Sequence, residues 1–157
     1  MQNSIEKQEK SQKYAAYFTR ELFLSAAYRD LKPAAKEILF LLALEIRFDT
    51  REKKRAYGKT AKRSRMPITN RDEILLTYKQ IRDLIGYSDN TISKSFLQLM
   101  EHGFIEIVKS GGSQKGDFNV YGIREDWRAW EPGHVVKDRP PRVEKIGFQK
   151  KNKLNYS

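Results

Sequence analysis

The sequence predicts a mainly α fold with a small β-hairpin, an α+β domain, and three features between Thr77 and Ile123 carry that expectation. Thr77 and Gln80 have the S/T-x-x-E/Q spacing of a capping box, which satisfies amides otherwise left open at a helix start, so a helix begins at Tyr78. Gly86 and Gly103 each close a helical segment, because glycine enters the left-handed conformation without steric cost. Beyond Gly103, two alternating runs flank a glycine-rich turn, which is the pattern of a hairpin.

The remaining elements follow along the chain. Met1 to Lys13 is polar throughout, so 1–16 is expected to be a flexible segment ahead of a domain spanning 17–131. Leu24-Ser25 leads into a short helix through Tyr28, and Leu31-Lys32-Pro33 opens a longer one with proline in its first turn. That helix, Pro33 to about Phe48, carries Ile38, Leu39, Phe40, Leu41, Leu42, Leu44 and Ile46 around most of its circumference and is expected to be the central buried helix. The chain changes character from Asp49 to Asp72. Arg51 to Arg65 holds eight basic residues and one acidic one with little to bury, so 50–72 reads as a basic insertion.

Ile74-Leu75-Leu76 is a short β run. In the helix after Thr77, Ile81, Leu84 and Ile85 supply one apolar face. Ser88 caps the next helix, where Ile92, Phe96, Leu99 and Met100 recur at i, i+4, i+7 and i+8. With so short a turn the two helices cross steeply, and the N-terminal part of the second projects from the surface: a helix-turn-helix. Phe104 to Lys109 and Asp117 to Ile123 are the two strands, with Ser110 to Gly116 as their turn. Trp127 and Trp130 either cover the open side of the core or stack on bases. Tyr14, Tyr17, Phe18 and Leu22, at helical spacing, form either a dimer surface or the lid of the core. Residues 132–157 are rich in proline and lysine and are expected to form a basic tail without fixed structure.

Composition narrows the partners. The 157 residues carry 31 Lys and Arg against 20 Asp and Glu, a net charge of +11, which favours a polyanion and nucleic acid first. A membrane is not expected as a partner, since the longest apolar run, Ile38 to Leu44, is far short of the ~20 residues a spanning helix needs. The absence of cysteine rules out disulfides and thiolate metal sites and fits a cytoplasmic protein.

Helix, short strand, helix, turn, helix and hairpin is the order of a winged helix-turn-helix. The run SDNTISKSFLQLMEHGFIEIVKSGG resembles the recognition helix and wing of bacterial winged-helix regulators. The wider pattern, from Ser25-Ala26-Ala27-Tyr28 through Leu31 and Ala35 to TYKQI and Trp127, is similar to small helix-turn-helix proteins of phages, plasmids and integrated elements. The resemblance covers roughly Phe18 to Trp130 and implies a sequence-specific double-stranded DNA-binding protein, a transcriptional regulator or alternatively a replication initiator.

With Ile92, Phe96 and Leu99 facing inward, Asn90, Thr91, Ser93 and Lys94 face outward. Asn90 suits adenine in a bidentate contact, and Thr91 suits a phosphate or a thymine methyl. Ser88, Ser93 and the amides at the helix start suit a phosphate, and Gln98 lies further along the same helix. Asp89 departs from the basic residue common in such regulators, and its expected role is helix capping or reading a cytosine amine. Thr77, Tyr78 and Lys79 at the start of the preceding helix complete that group. Lys109, Gln114 and Lys115 on the hairpin are candidates for phosphate or the minor groove, and Arg51, Lys53, Lys54, Arg55, Lys59, Lys62, Arg63 and Arg65 in the insertion form either a solvated loop or an arm along the DNA backbone.

Other classes of function stay open. A small basic nuclease would need converging carboxylates or paired histidines. Glu106 and Asp117, expected on paired strands, could approach each other, but nothing beside them suggests a metal site, and His102 and His134 have no partner at ligand spacing. An enzyme, a metal and a cofactor are therefore not expected. A winged helix that binds only protein is the other alternative, and a homodimer is left open.

Overall fold

The computed structural model describes residues 18–48, 68–112 and 117–137. These form an α+β unit of five helices, α1 (Arg20–Leu24), α2 (Ala26–Asp30), α3 (Pro33–Leu44), α4 (Tyr78–Ile85) and α5 (Asp89–Glu101), with strands β1 (Ile74–Leu75), β2 (Ile105–Lys109) and β3 (Val120–Ile123). A single 3₁₀ turn, Asp126–Ala129, follows β3.

Short polar residues set the helix boundaries. Ser25 serves two helices at once: its amide closes α1 on the Leu22 carbonyl at 3.1 Å, and its hydroxyl accepts the Tyr28 amide of α2 at 3.1 Å. Pro33 opens α3 as expected, but Lys32 contributes no side-chain cap there. Gln98 Oε1, from α5, accepts the Lys32 amide at 3.1 Å instead. At its other end α3 stops at Leu44, short of the Phe48 that periodicity predicts. The returning chain takes over the backbone groups that would have continued it. Asn70, which is buried, donates its side-chain amide to the Glu45 carbonyl at 2.8 Å and accepts the Arg47 amide at 2.7 Å. Thr69 donates its amide to the Arg47 carbonyl at 2.9 Å, and Phe48 bridges Ile68. The basic stretch Arg51 to Arg65 lies outside the described residues, and the described residues before and after it, Phe48 and Ile68, pair beyond the end of α3.

The hairpin of β2 and β3 is joined by β1, a pairing that nothing in the local pattern of Ile74-Leu75-Leu76 predicts. All three strands are antiparallel in the order β1-β3-β2, with Ile74 opposite Tyr121 and Ile107 opposite the same tyrosine from the other side. A register shift between Ile107 and Lys109 leaves Val108 as an extra residue on β2. The sheet rests its inner face on the helices through Ile74, Tyr121 and Ile105.

The core lies where α3 crosses α5, with Ile38 and Leu42 meeting Ile92, Phe96, Leu99 and Met100. Phe40 is the exception on α3: it stands 48% exposed and stacks on Phe18 at 5.5 Å, so this helix is buried on one side only. Phe18 and Leu22 pack partly against the core, while Tyr14 and Tyr17 lie outside the described residues. Trp127 and Trp130 are both buried, Trp127 against Phe104 and Trp130 on the His102 ring at 4.3 Å. His102 also reaches Asp30 of α2, with 2.8 Å between Nε2 and Oδ2. Order continues past the expected boundary at 131, because the Val136 amide donates to the Glu101 carbonyl at 2.8 Å and Lys137 pairs with Glu106.

The two glycines that close α4 and α5 are expected to differ in cost. A Cβ at Gly86 (φ 75°) meets nothing within 4 Å, whereas one at Gly103 (φ 77°) would lie 2.8 Å from Asp126 C and Trp127 N. Gly86→Ala should therefore lower stability by about 1–2 kcal/mol, from backbone strain alone. Gly103→Ala adds a backbone clash to the same strain and should cost more than about 3 kcal/mol. Equilibrium urea unfolding of the two variants checks the difference.

Candidate nucleic-acid interface

The candidate surface is built by α4, the turn Gly86 to Ser88, and the first turns of α5. The capping box closes as expected: Thr77 Oγ1 accepts the Gln80 amide at 3.2 Å and Gln80 Oε1 accepts the Thr77 amide at 2.8 Å. Ile81 is buried and fixes α4 on the core, and Gly86 ends it with its amide on the Arg82 carbonyl at 2.9 Å. Tyr87 then anchors the turn to α3 by donating its hydroxyl to Glu37 Oε2 at 2.9 Å. Ser88 Oγ accepts the Thr91 amide at 3.3 Å, and α5 begins.

One face of α5, formed by Ile92, Ser95, Phe96, Leu99 and Met100, is buried. Asp89, Asn90 and Lys94 are exposed on the other side. Asn90 and Lys94 are one helical turn apart, and neither side chain has a hydrogen-bond or ion-pair partner among the described residues. Ser93 is half-buried beside them. Thr91 is half-buried too, with its hydroxyl 3.0 Å from that of Ser88, so these two hydroxyls first serve the cap. Asp89 forms an ion pair with Arg82 of α4 across the turn.

Several other residues named from the sequence have structural work. The Tyr78 ring stacks on Phe96 at 5.8 Å, and the Thr77 hydroxyl is held in the capping box at 2.9 Å from Gln80 Oε1. Gln98, further along α5, turns its carbonyl oxygen to the start of α3, where it accepts the Lys32 amide. Lys79 is exposed but paired with Asp83 on its own helix, and Lys109 is exposed at the end of β2. Gln114 and Lys115 lie outside the described residues, as do Arg51, Lys53, Lys54, Arg55, Lys59, Lys62, Arg63 and Arg65.

Sequence reasoning missed Arg82, Tyr87 and Glu37. Arg82 and Asp89 are seven residues apart across a turn, and Glu37 and Tyr87 are 50 apart, so no local periodicity links them. Charge is also distributed in a way that the total conceals. The described residues carry 13 Lys and Arg against 14 Asp and Glu, and the remaining residues carry 18 against 6. The basic excess thus sits outside the described fold.

Glu106 is committed to Arg124 and Lys137, and Asp117 precedes β3 rather than lying on it. No group of three His, Cys, Asp or Glu among the described residues is placed to hold a metal ion. None of their helices is long and apolar enough to cross a membrane.

The Tyr87 to Glu37 bond has a pH signature. Its hydrogen bond to the Glu37 carboxylate, with some burial, holds the Tyr87 phenol above its ordinary value of 10.0. A raised acid stabilises the fold fully below its unfolded pKa, and that contribution is lost as pH rises through the folded value. Tyr87→Phe is therefore expected to lower stability by a constant amount from neutral pH to about 9, and the gap to wild type should close above about 10. Denaturant unfolding across that range checks it, and a gap that persists at the alkaline end would contradict the bond. No family model, curated protein or solved structure matches this chain.

Proposed function

We propose that this chain is a winged helix-turn-helix protein that binds double-stranded DNA sequence-specifically, with α5 as the recognition helix, and that it acts in the cytoplasm as a transcriptional regulator. One observation carries the reading. The helix after a tight turn is anchored by a single buried face, while Asn90 and Lys94 stand exposed and uncommitted near its start. An α-helix fits the major groove of B-form DNA, and residues at its projecting end reach base edges. Asn90 matches the N6/N7 pair of adenine, and Lys94 matches a phosphate or the acceptors of guanine. The amides at the start of α5, where Ser88 caps that of Thr91, sit at the positive end of the helix dipole, where a phosphate is favoured. The hairpin of β2 and β3 would serve as the wing. A replication initiator would use the same surface in the same way.

The excess positive charge supports a polyanionic partner, and its place outside the described fold gives it a separate task. Flanking and inserted basic segments supply sequence-independent attraction to the backbone, while α5 supplies discrimination. The near balance of charge within the fold favours a second reading, in which the same surface docks on a protein. Selection of bound fragments from random duplex DNA separates the two: enrichment of one motif supports the DNA reading, and no enrichment at low salt supports the other.

Two outcomes are expected once a site is selected. Asn90→Ala should cost about 1–3 kcal/mol on the selected duplex and little on a scrambled one, by fluorescence anisotropy. Replacing the basic residues from Arg51 to Arg65 by glutamine should weaken both duplexes alike and flatten the salt dependence by about 0.9 for each phosphate that is no longer neutralised. An unchanged salt slope would make that segment a bystander.

A further inference from the structure

We propose that Arg82 is a DNA-contacting residue and that Asp89 is its positioning residue, an inference that rests on the DNA-binding reading above. Asp89 stands at the first position of α5, where an acid facing DNA would otherwise repel it. A helix-dipole role is available to any acid at that position and does not account for the partner it takes. Its carboxylate reaches across the turn to Arg82 in the last turn of α4. The backbone of Arg82 is fixed as well, since its carbonyl accepts the Gly86 amide at 2.9 Å.

Asp83, the carboxylate next to Arg82, is held by Lys79, so Asp89 is the one ion-pair partner of Arg82 among the described residues. Guanidinium has five N–H donors in a planar fork. Asp89 Oδ1 engages Nη1, which leaves donors on Nε and Nη2 for a second ligand. Both side chains remain open to solvent, at 45% and 62% exposure for Arg82 and Asp89, beside the exposed Asn90. An exposed pair of this kind adds little to stability, so its consequence lies in geometry: it removes the rotamer freedom of a long side chain before the ligand arrives. The ligand that fits a fork of free donors is a pair of acceptors, either O6 and N7 of guanine or two oxygens of one phosphate.

The test is a double-mutant cycle on the full chain with Arg82→Ala, Asp89→Asn and the double variant. The probes are a duplex recovered by selection from random DNA and a scrambled duplex of the same composition. Asp89→Asn is expected to weaken binding to the selected duplex about tenfold, although it removes a negative charge. Arg82→Ala should weaken it by as much, and the double variant should be no worse than either. Arg82→Lys, which keeps the charge without the fork, should not restore affinity. Thermal unfolding of all variants close to wild type keeps the loss from being one of folding. Tighter binding by Asp89→Asn in both the wild-type and the Arg82→Ala background would overturn the proposal, because it is the result of plain repulsion. If wild type does not distinguish the selected from the scrambled duplex, the DNA reading fails first and this inference falls with it. Replacing guanine by 7-deazaguanine in the selected duplex identifies the acceptor. A loss seen by wild type and absent in Arg82→Ala means a base edge, and equal behaviour of the two means a phosphate.

Discussion

Phe96 lies between two tyrosines, with Tyr78 of α4 at 5.8 Å on one side and Tyr121 of β3 at 4.5 Å on the other, all three rings nearly parallel. This column joins the helix before the turn, the helix after it and the central strand through one buried side chain. Truncating such a phenylalanine costs about 3–5 kcal/mol, a large part of the ~5–15 kcal/mol by which a domain is stable. The angle between α4 and α5 is therefore tied to the sheet rather than to the turn alone. Whatever α5 presents to a partner is aimed from the interior.

Around that column the surface divides into parts with different chemistry. The start of α5 offers an amide and a lysine on an exposed helical face, with a carboxylate neutralised by an arginine beside them. Asn70, buried at the end of α3, bonds Glu45 and Arg47, and Phe48 bridges Ile68, so the described residues that flank the basic stretch meet at the end of α3. The described fold is close to electroneutral, and the basic excess belongs to residues outside it. In the proposed function this separates recognition from attraction, and each can change without the other.

The elements legible in the sequence are those written in short spacings. The Thr77 and Gln80 box, the Ser88 cap, the left-handed Gly86 and Gly103, and the apolar stripe of α5 all depend on residues within eight positions of one another. What escaped depends on pairs far apart. Gln98 caps α3 from 66 residues away, Asn70 ends α3 from 25 residues away, and β1 pairs with β3 across the two helices and the strand between them in sequence. The surface was legible in the same measure. Asn90 and Lys94 follow from helical period, while Arg82 emerges only when the turn brings it to Asp89.

The most direct measurement is amide chemical-shift mapping of the full chain with a selected DNA duplex. The proposed function places the largest shifts from Ser88 to Lys94, with α1 and the exposed side of α3 near Phe40 almost unchanged. Largest shifts on α1 and around Phe40, with Ser88 to Lys94 silent, would contradict it.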